Sequence, residues 1–432
     1  MEGRTGTVLP QRSILATQHW IERAETNCPG AKKCMAVTLK KTRIGRGAMA
    51  AGLSVAIGLG ATACNRDYDV GYVYMTAAKA NPGLVNAYKV DYQSGFLNPL
   101  EDSPIPSGGR NPVGLVAAPN GKHIYVLNHD DSTVVWVAIG TDGKLYPQVT
   151  YNTTGSFPTA AAIDPGGKFL YVTFTYQLGF TTALPGPGGV TVFPINADNS
   201  LGTPSTVNVG RNPMGIVANS KFAYVIDQDS ATTLNLLGFS VNSTNGFLTP
   251  LTGVIINPGN VVSTGFASGS LPAGILEDSG LAHLYVADQS TDLLIGYSVA
   301  ASGIPSQIGA ASTGAAPAGM AIDPSGKYLY IANTTAGTIG GYTFGANGQP
   351  IASTVAQSVQ AGTGTTCVTI IGAPTDANTS HAVYLYASNS LSNTATGEQM
   401  NPADGSLKQI QGTPFSGSTL PSCLVSVPSF PR

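Results

Sequence analysis

The sequence predicts an all-β fold: a seven-bladed β-propeller of four-stranded blades, closed by a C-terminal strand that completes the N-terminal blade. Three observations carry this expectation. A Pro-x-Gly-like triplet opens a short apolar run at Pro112-Val113-Gly114, Pro213-Met214-Gly215, Pro272-Ala273-Gly274 and Pro317-Ala318-Gly319, with degenerate copies at Pro158, Thr365 and Pro421. The copies lie 45 to 59 residues apart, the size of a four-stranded blade. A tyrosine occupies one equivalent place in the run that follows, at Tyr74, Tyr125, Tyr171, Tyr224, Tyr285, Tyr330 and Tyr386. A tight turn such as Asp142-Gly143 or Asn347-Gly348 closes each copy, and Asn-Gly or Asp-Gly supplies the positive φ that short hairpins need.

The stretch from Pro317 to Pro350 shows each element in order. An inner strand is expected over Pro317–Ile322, then a turn at Asp323-Pro324-Ser325-Gly326-Lys327, a second strand over Tyr328–Asn333 and a third over Thr338–Phe344. The turn Ala346-Asn347-Gly348 leads into the fourth. Apolar runs this short, bounded by Gly, Pro, Asn and Asp, read as strands in tight hairpins. The head of the chain has a second strand, Tyr72–Thr76, with no triplet strand before it. The tail has only a triplet strand, Pro421–Val427. Pairing the two makes six whole blades plus one shared blade and leaves no exposed sheet edge. A β-sandwich or a solenoid is the alternative, and seven evenly spaced copies with split ends argue against both.

Of 432 residues only 10% are charged, against about 25% in an average domain. The 53 glycines and 29 prolines suit a turn-rich β protein. With a net charge of −2, nothing points to nucleic acid as a partner. Residues 1–34 match neither the repeats nor a targeting pattern and read as an extension upstream of a start at Met35. From there Lys40, Lys41, Arg43 and Arg46 precede the apolar and small-residue run Ala48–Ala63, so 35–64 has the form of an export signal, too short to span as a helix. Ala61-Thr62-Ala63-Cys64 suits cleavage before Cys64 and resembles a lipobox, with Ala61 where Leu is usual. Lipidation of Cys64 or a plain secretory signal both export the protein, and a lipid would be its sole hold on a membrane. Residues 65–69 then form a tether and 70–432 the propeller, expected to be a monomer.

Beyond Cys64 only Cys367 and Cys423 remain. Both hold the third position of an inner strand, in the last whole copy and the shared one, which a closed ring makes neighbours. A disulfide there would close a 56-residue loop, worth about 4 kcal/mol in the chain-entropy model. Two small buried thiols are the other reading.

In a propeller the inner-to-second and third-to-fourth turns share one face. The second-to-third loops and the blade connections share the other. The first set reads as short throughout. The second carries apparent insertions at Gln177–Gly189, Thr252–Ser270 and Ser390–Glu398, which makes it the expected binding side. Arg110 and Arg211 stand there in matching Gly-Arg-Asn-Pro connections, suited to holding a carboxylate or phosphate. His129 is a candidate general base, and Asp227 and Asp288 are candidate carboxylates. Asn and Asp at strand ends also serve as plain turn residues. No Gly-x-Ser-x-Gly, His-Glu-x-x-His, Cys-x-x-Cys or phosphate-binding glycine loop occurs, so no cofactor or metal is expected.

Tyr125-Val126-Leu127-Asn128, Tyr285-Val286-Ala287-Asp288 and Tyr330-Ile331-Ala332-Asn333 resemble the Tyr-Val-x-Asn repeats of bacterial surface propellers. With Asp323-Pro324-Ser325-Gly326-Lys327-Tyr328-Leu329-Tyr330 the pattern resembles the seven-bladed lactonase family, which includes 6-phosphogluconolactonase-like proteins, over about Val70–Val427. The family's His-Pro step and Asp-Leu-Gly-x-Asp motif are not intact, so no catalytic residue carries over. The resemblance implies an enzyme that opens a lactone. A module that binds a surface ligand or protein at the loop-rich face, and a rigid display scaffold, are the other readings.

Overall fold

The computed structural model describes residues 69–429 except 185, 230–231, 252–254, 258–259, 263–264, 357 and 373–381, together with two short strands nearer the head. Two compact units separate, residues 1–67 with 431–432 and Tyr68–Phe430. In the first, Arg23–Thr26 pairs antiparallel with Cys34–Val37, and Glu25 stands opposite Met35. The rest of the expected leader, Cys64 and most of the tether lie outside the described residues.

The second unit is the ring of seven blades. Blade 1 has Leu424–Pro428 as inner strand, followed outward by Asp69–Ala77, Leu84–Asp91 and Leu97–Pro99. The tail strand therefore completes the sheet begun at the head, with Tyr74 opposite Val425 and Tyr72 opposite Val427. Blades 2 to 7 follow in chain order, each running from the inside outward. Their inner strands are Pro112–Ala117, Gly155–Ile163, Pro213–Ala218, Pro272–Glu277, Pro317–Ile322 and Thr365–Gly372. Each inner strand packs against the next, and Leu424–Pro428 packs against both Thr365–Gly372 and Pro112–Ala117, which closes the circle.

Strand periodicity explains how both sheet faces are covered. In the second strand of blade 2, His123–Asn128, Ile124 and Val126 join Tyr72, Tyr74 and Val85 of blade 1. The alternate residues Tyr125 and Leu127 join Leu170, Val172 and Phe193 of blade 3. Successive side chains of a strand point to opposite faces, so one continuous apolar run serves two neighbours. Burying each such side chain contributes about 1.5–3 kcal/mol.

The recurring tyrosine has a definite task. Tyr74 donates its hydroxyl hydrogen to the Gly143 carbonyl in the turn of the next blade, at 2.8 Å. Tyr125 reaches Asn199, Tyr224 reaches Gly303, Tyr285 reaches Gly348 and Tyr330 reaches Gly405 in the same way. Tyr386 reaches Gly95 and so links blade 7 back to blade 1. The buried Tyr171 hydroxyl is the exception, with no partner among the described residues. The ring two residues before the tyrosine lies over the same turn. A Cβ on Gly143, Gly303, Gly348 or Gly405 would run into Tyr72, Phe222, His283 or Tyr328, and each of these glycines also has positive φ. The short turn thus seats the neighbouring blade as well as reversing the chain.

Two expectations about loops need correction. Ser390–Glu398 is not an insertion. The second strand of blade 7 ends at Asn389 and the third begins at Thr394, leaving a short turn. Nor is the opposite face short throughout, because residues 373–382 separate the inner and second strands of blade 7. Of the expected loop Gln177–Gly189 the first and last residues belong to the flanking strands, and the connection Thr252–Ser270 contains a two-stranded antiparallel hairpin, Ile255–Asn257 with Asn260–Val262.

Candidate functional site

In blades 2, 4, 5 and 7 the connection into the inner strand is held by the side chain that ends the second strand of the same blade. Asp227 is fully buried and accepts from the backbone N–H groups of Arg211 and Asn212, at 2.9 and 2.6 Å. Burial outweighs those bonds and pushes its carboxyl up to about 6. Asp288, also fully buried, accepts from Leu271 N–H and from the Ser290 and Thr291 hydroxyls. Asn128 accepts from the Ser107 hydroxyl, and Asn389 accepts from Gly362 N–H and the Thr365 hydroxyl. A glycine faces each of these side chains. A Cβ at Gly109 would stand 2.7 Å from Asn128 and one at Gly362 2.6 Å from Asn389, while Gly210 and Gly269 are closer still to Asp227 and Asp288. These two aspartates therefore sit as blade fasteners, with their oxygens committed to the connections.

The two arginines occupy matching places on blades 2 and 4, with blade 3 between them. Arg110 Nε donates to Asp131 Oδ1 at 2.8 Å and its backbone N–H to Asp131 Oδ2 at 2.7 Å. Its side chain is 55% exposed. The Arg110 bonds hold the Asp131 carboxyl below the usual range, and Asp131 in turn raises the guanidinium further. Arg211 lies looser, with Nε 3.7 Å from Asp229.

His129 stands beside this pair. Its Nδ1 is 2.7 Å from Asp130 Oδ1, and Asn111 Nδ2 donates to the same oxygen at 3.0 Å. Bonds from Asn111 and then His129 keep the Asp130 carboxyl below its ordinary value. With Nδ1 committed as donor, the lone pair sits on Nε2. The imidazole stacks on Phe157 of blade 3, centroids 4.9 Å apart and planes within 21°, and Phe157 meets Tyr176 edge-on at 5.9 Å. Phe157 takes the place of Asn111 in its own blade, directly before the triplet proline, and both adopt positive φ, as do Ala316, Gly364 and Leu420 at the same place. The left-handed residue thus recurs in five of the seven connections, Asn212 and Leu271 being the exceptions, and in blade 3 it turns an aromatic ring toward His129.

The structure thus brings together Arg110, His129, Asp130, Asp131 and Asn111 on blade 2 with Phe157 and Tyr176 on blade 3. Arg211, Asp227 and Asp288 stand apart from that cluster. The aromatic wall was not anticipated, although Gly155-Ser156-Phe157-Pro158 aligns with Gly109-Arg110-Asn111-Pro112 and would have revealed it. Among the described residues no three His, Cys, Asp or Glu side chains gather closely enough to hold a metal ion. The geometry offers an oriented imidazole, a cation and a flat apolar wall.

A seven-bladed ring with its tail strand in the first sheet defines the class of fold. The sequence matches the family model "Lactonase, 7-bladed beta-propeller" over residues 72–215 and 214–370, and the chain belongs to that family. No curated protein matches it. Among solved structures, one from Bacteroides fragilis described as "a putative 6-phosphogluconolactonase" is 19% identical with a TM-score of 0.63, covering 83% of this chain and 98% of its own. A counterpart from Bacteroides uniformis with the same description is 18% identical, TM-score 0.64, covering 83% and 100%. The periplasmic gluconolactonase of Pseudomonas aeruginosa is 15% identical, TM-score 0.62, covering 83% and 99%. At these identities the likeness establishes the fold.

Proposed function

We propose that this propeller hydrolyses a lactone at the junction of blades 2 and 3. The observation that carries the reading is His129, oriented by Asp130 at 2.7 Å and backed by Phe157. In this reading His129 Nε2 takes a proton from the water that attacks the ring carbonyl and returns it to the ring oxygen as the acyl carbon–oxygen bond breaks. Arg110, already anchored through Nε, offers Nη1 to the oxyanion, and the carboxylate released on ring opening keeps that contact. Phe157 and Tyr176 receive the apolar face of the ring. Arg211, Asp227 and Asp288 have no part in this step.

A panel of five- and six-membered lactones assayed with the purified full chain tests the site. His129→Gln is expected to lower kcat/KM by about 10²-fold or more, with Asp130→Asn following in the same direction. Full turnover in both variants would refute the assignment. One observation favours a second reading, a binding module without turnover: Arg110 is already saturated by Asp131 on one edge. Saturable binding of a sugar-like ligand, lost in Phe157→Ala, with no lactone turned over, would establish that reading instead.

The protein is further proposed to be exported and anchored through a lipid on Cys64. The basic and apolar leader supports this, and the Pseudomonas relative is described as periplasmic. Incorporation of labelled fatty acid that disappears in Cys64→Ala is the expected result. An unmodified mature terminus would leave only secretion.

A further inference from the structure

At the other inner-strand junctions the third position of the triplet carries no more than a methyl group: Gly114, Ala160, Gly215, Gly274 and Gly319. At two of these junctions the backbone of the next blade leaves no room for more, and a Cβ on Gly274 would run into the Ala318 carbonyl. A Cβ on Gly319 would lie 2.7 Å from the Thr366 carbonyl and 2.8 Å from Cys367 Cα, in the backbone of the next blade. At the junction that closes the ring, the same position holds a thiol on both sides. Cys367 Sγ and Cys423 Sγ are 3.3 Å apart, and both thiols are free.

The surrounding bonds fix the two sulfurs relative to one another. On one side the Thr366 hydroxyl donates to the Ser422 carbonyl at 3.1 Å. On the other Thr369 Oγ1 donates to Ser426 Oγ at 3.0 Å, and Ser426 N–H donates to Thr369 Oγ1 at 3.1 Å. The cysteines are thus bracketed above and below by cross-strand bonds, and a sulfur–sulfur bond needs only about 1 Å of further approach. Both residues are partly exposed, Cys367 on the inner strand of blade 7 and Cys423 directly before the tail strand Leu424–Pro428, and neither belongs to the site on blades 2 and 3.

We infer that Cys367 and Cys423 form an oxidisable pair, a modification site that converts the hydrogen-bonded closure of the ring into a covalent one. The oxidant is a disulfide, either a small one such as oxidised glutathione or that of a thiol oxidoreductase. The Cys423 thiolate attacks one sulfur of that disulfide and expels the other as a thiolate, giving a mixed disulfide. The Cys367 thiolate then attacks Cys423 Sγ and expels the second thiolate. One sulfur–sulfur bond forms and one breaks, and the two cysteine protons end on the two thiols released. Either thiol can donate its S–H to the other sulfur at 3.3 Å and so stabilise its neighbour as a thiolate, and the same balance holds if Cys367 attacks first.

The bridge ties the tail strand, held in blade 1 by pairing with Asp69–Ala77, to blade 7 across a 56-residue loop. Withdrawing the tail strand is the natural way to open the ring, so the bridge acts on unfolding rate. The test uses the folded full chain, exposed to oxidised glutathione, then blocked with an alkylating reagent and digested without reduction. The expected product is a peptide joining Cys367 to Cys423, lighter by two hydrogens than its parts. Unfolding in denaturant should slow at least about tenfold, recover with reductant, and remain unchanged by oxidant in Cys423→Ser. Alkylation of both cysteines after oxidation would overturn the inference. Pairing of either with Cys28, Cys34 or Cys64, or a bridged chain that unfolds as fast as the reduced one, would do the same. Because the decisive measurement is made on the unsubstituted chain, a folding defect in the serine variant does not affect it.

Discussion

The seven equivalent tyrosines provide their own control. Six donate to a turn carbonyl of the next blade, and the seventh, Tyr171, is just as buried but has no partner among the described residues. Replacing Tyr224 by Phe keeps the ring and removes the 2.7 Å bond to Gly303. The net loss is about 0.5–1.5 kcal/mol for the bond, rising toward about 2 kcal/mol because the Gly303 carbonyl stays buried beneath the blade. Tyr171→Phe removes a hydroxyl that has lost its water and gained nothing. It should therefore be neutral or stabilising by up to about 1 kcal/mol. Packing is almost the same in both variants, so the difference isolates the hydrogen bond. Urea unfolding of the two variants and the parent, compared at constant slope, measures it. Equal destabilisation by both substitutions would show that the hydroxyls contribute through something other than these bonds. Seven neutral substitutions would show that the turns are seated by ring packing alone.

Other outcomes follow from the same geometry. Glu398 is fully buried with neither carboxylate oxygen partnered among the described residues, and burial pushes it up to about 7 from 4.5. The folded state keeps this proton while the unfolded chain releases it, so stability should fall between about pH 4.5 and 7 and level off above. Glu398→Gln should flatten that slope, gaining up to about 3 kcal/mol at pH 8 and little at pH 4 in denaturation curves. Ala316 holds a φ of 56°, so Ala316→Gly should stabilise by about 0.5–1 kcal/mol in the same assay. Gly319→Ala should cost about 2 kcal/mol or more, since its methyl meets backbone that cannot step aside. A gain or no change at Gly319 would mean that adjacent inner strands adjust freely.

The fold was legible because a propeller repeats its instructions. Triplet, tyrosine and turn recur at one spacing, and the unmatched ends announce the shared blade. Contacts between copies were less legible. A tyrosine every fifty or so residues marks a position, but only coordinates reveal that it reaches into the next copy. Asp227 and Asp288 read as candidate acids from their place at a strand end, which does not show how many backbone N–H and hydroxyl groups each carboxylate receives. Thr394-Ala395-Thr396-Gly397-Glu398 has no large apolar side chain to mark it as a strand. It is a strand whose Thr396 and Glu398 are buried between blades. Arg110 and His129 were visible as types, yet their grouping with Phe157 depends on two blades meeting.

The placement of the last strand also sets an order of events in synthesis. Its partner strand, Asp69–Ala77, leaves the ribosome early and must wait, with one edge open, until Leu424–Pro428 has been made. A chain cut short by even a dozen residues is thus an unclosed ring presenting a sticky β edge to its neighbours. The presence of the tail strand is in effect inspected by the architecture itself.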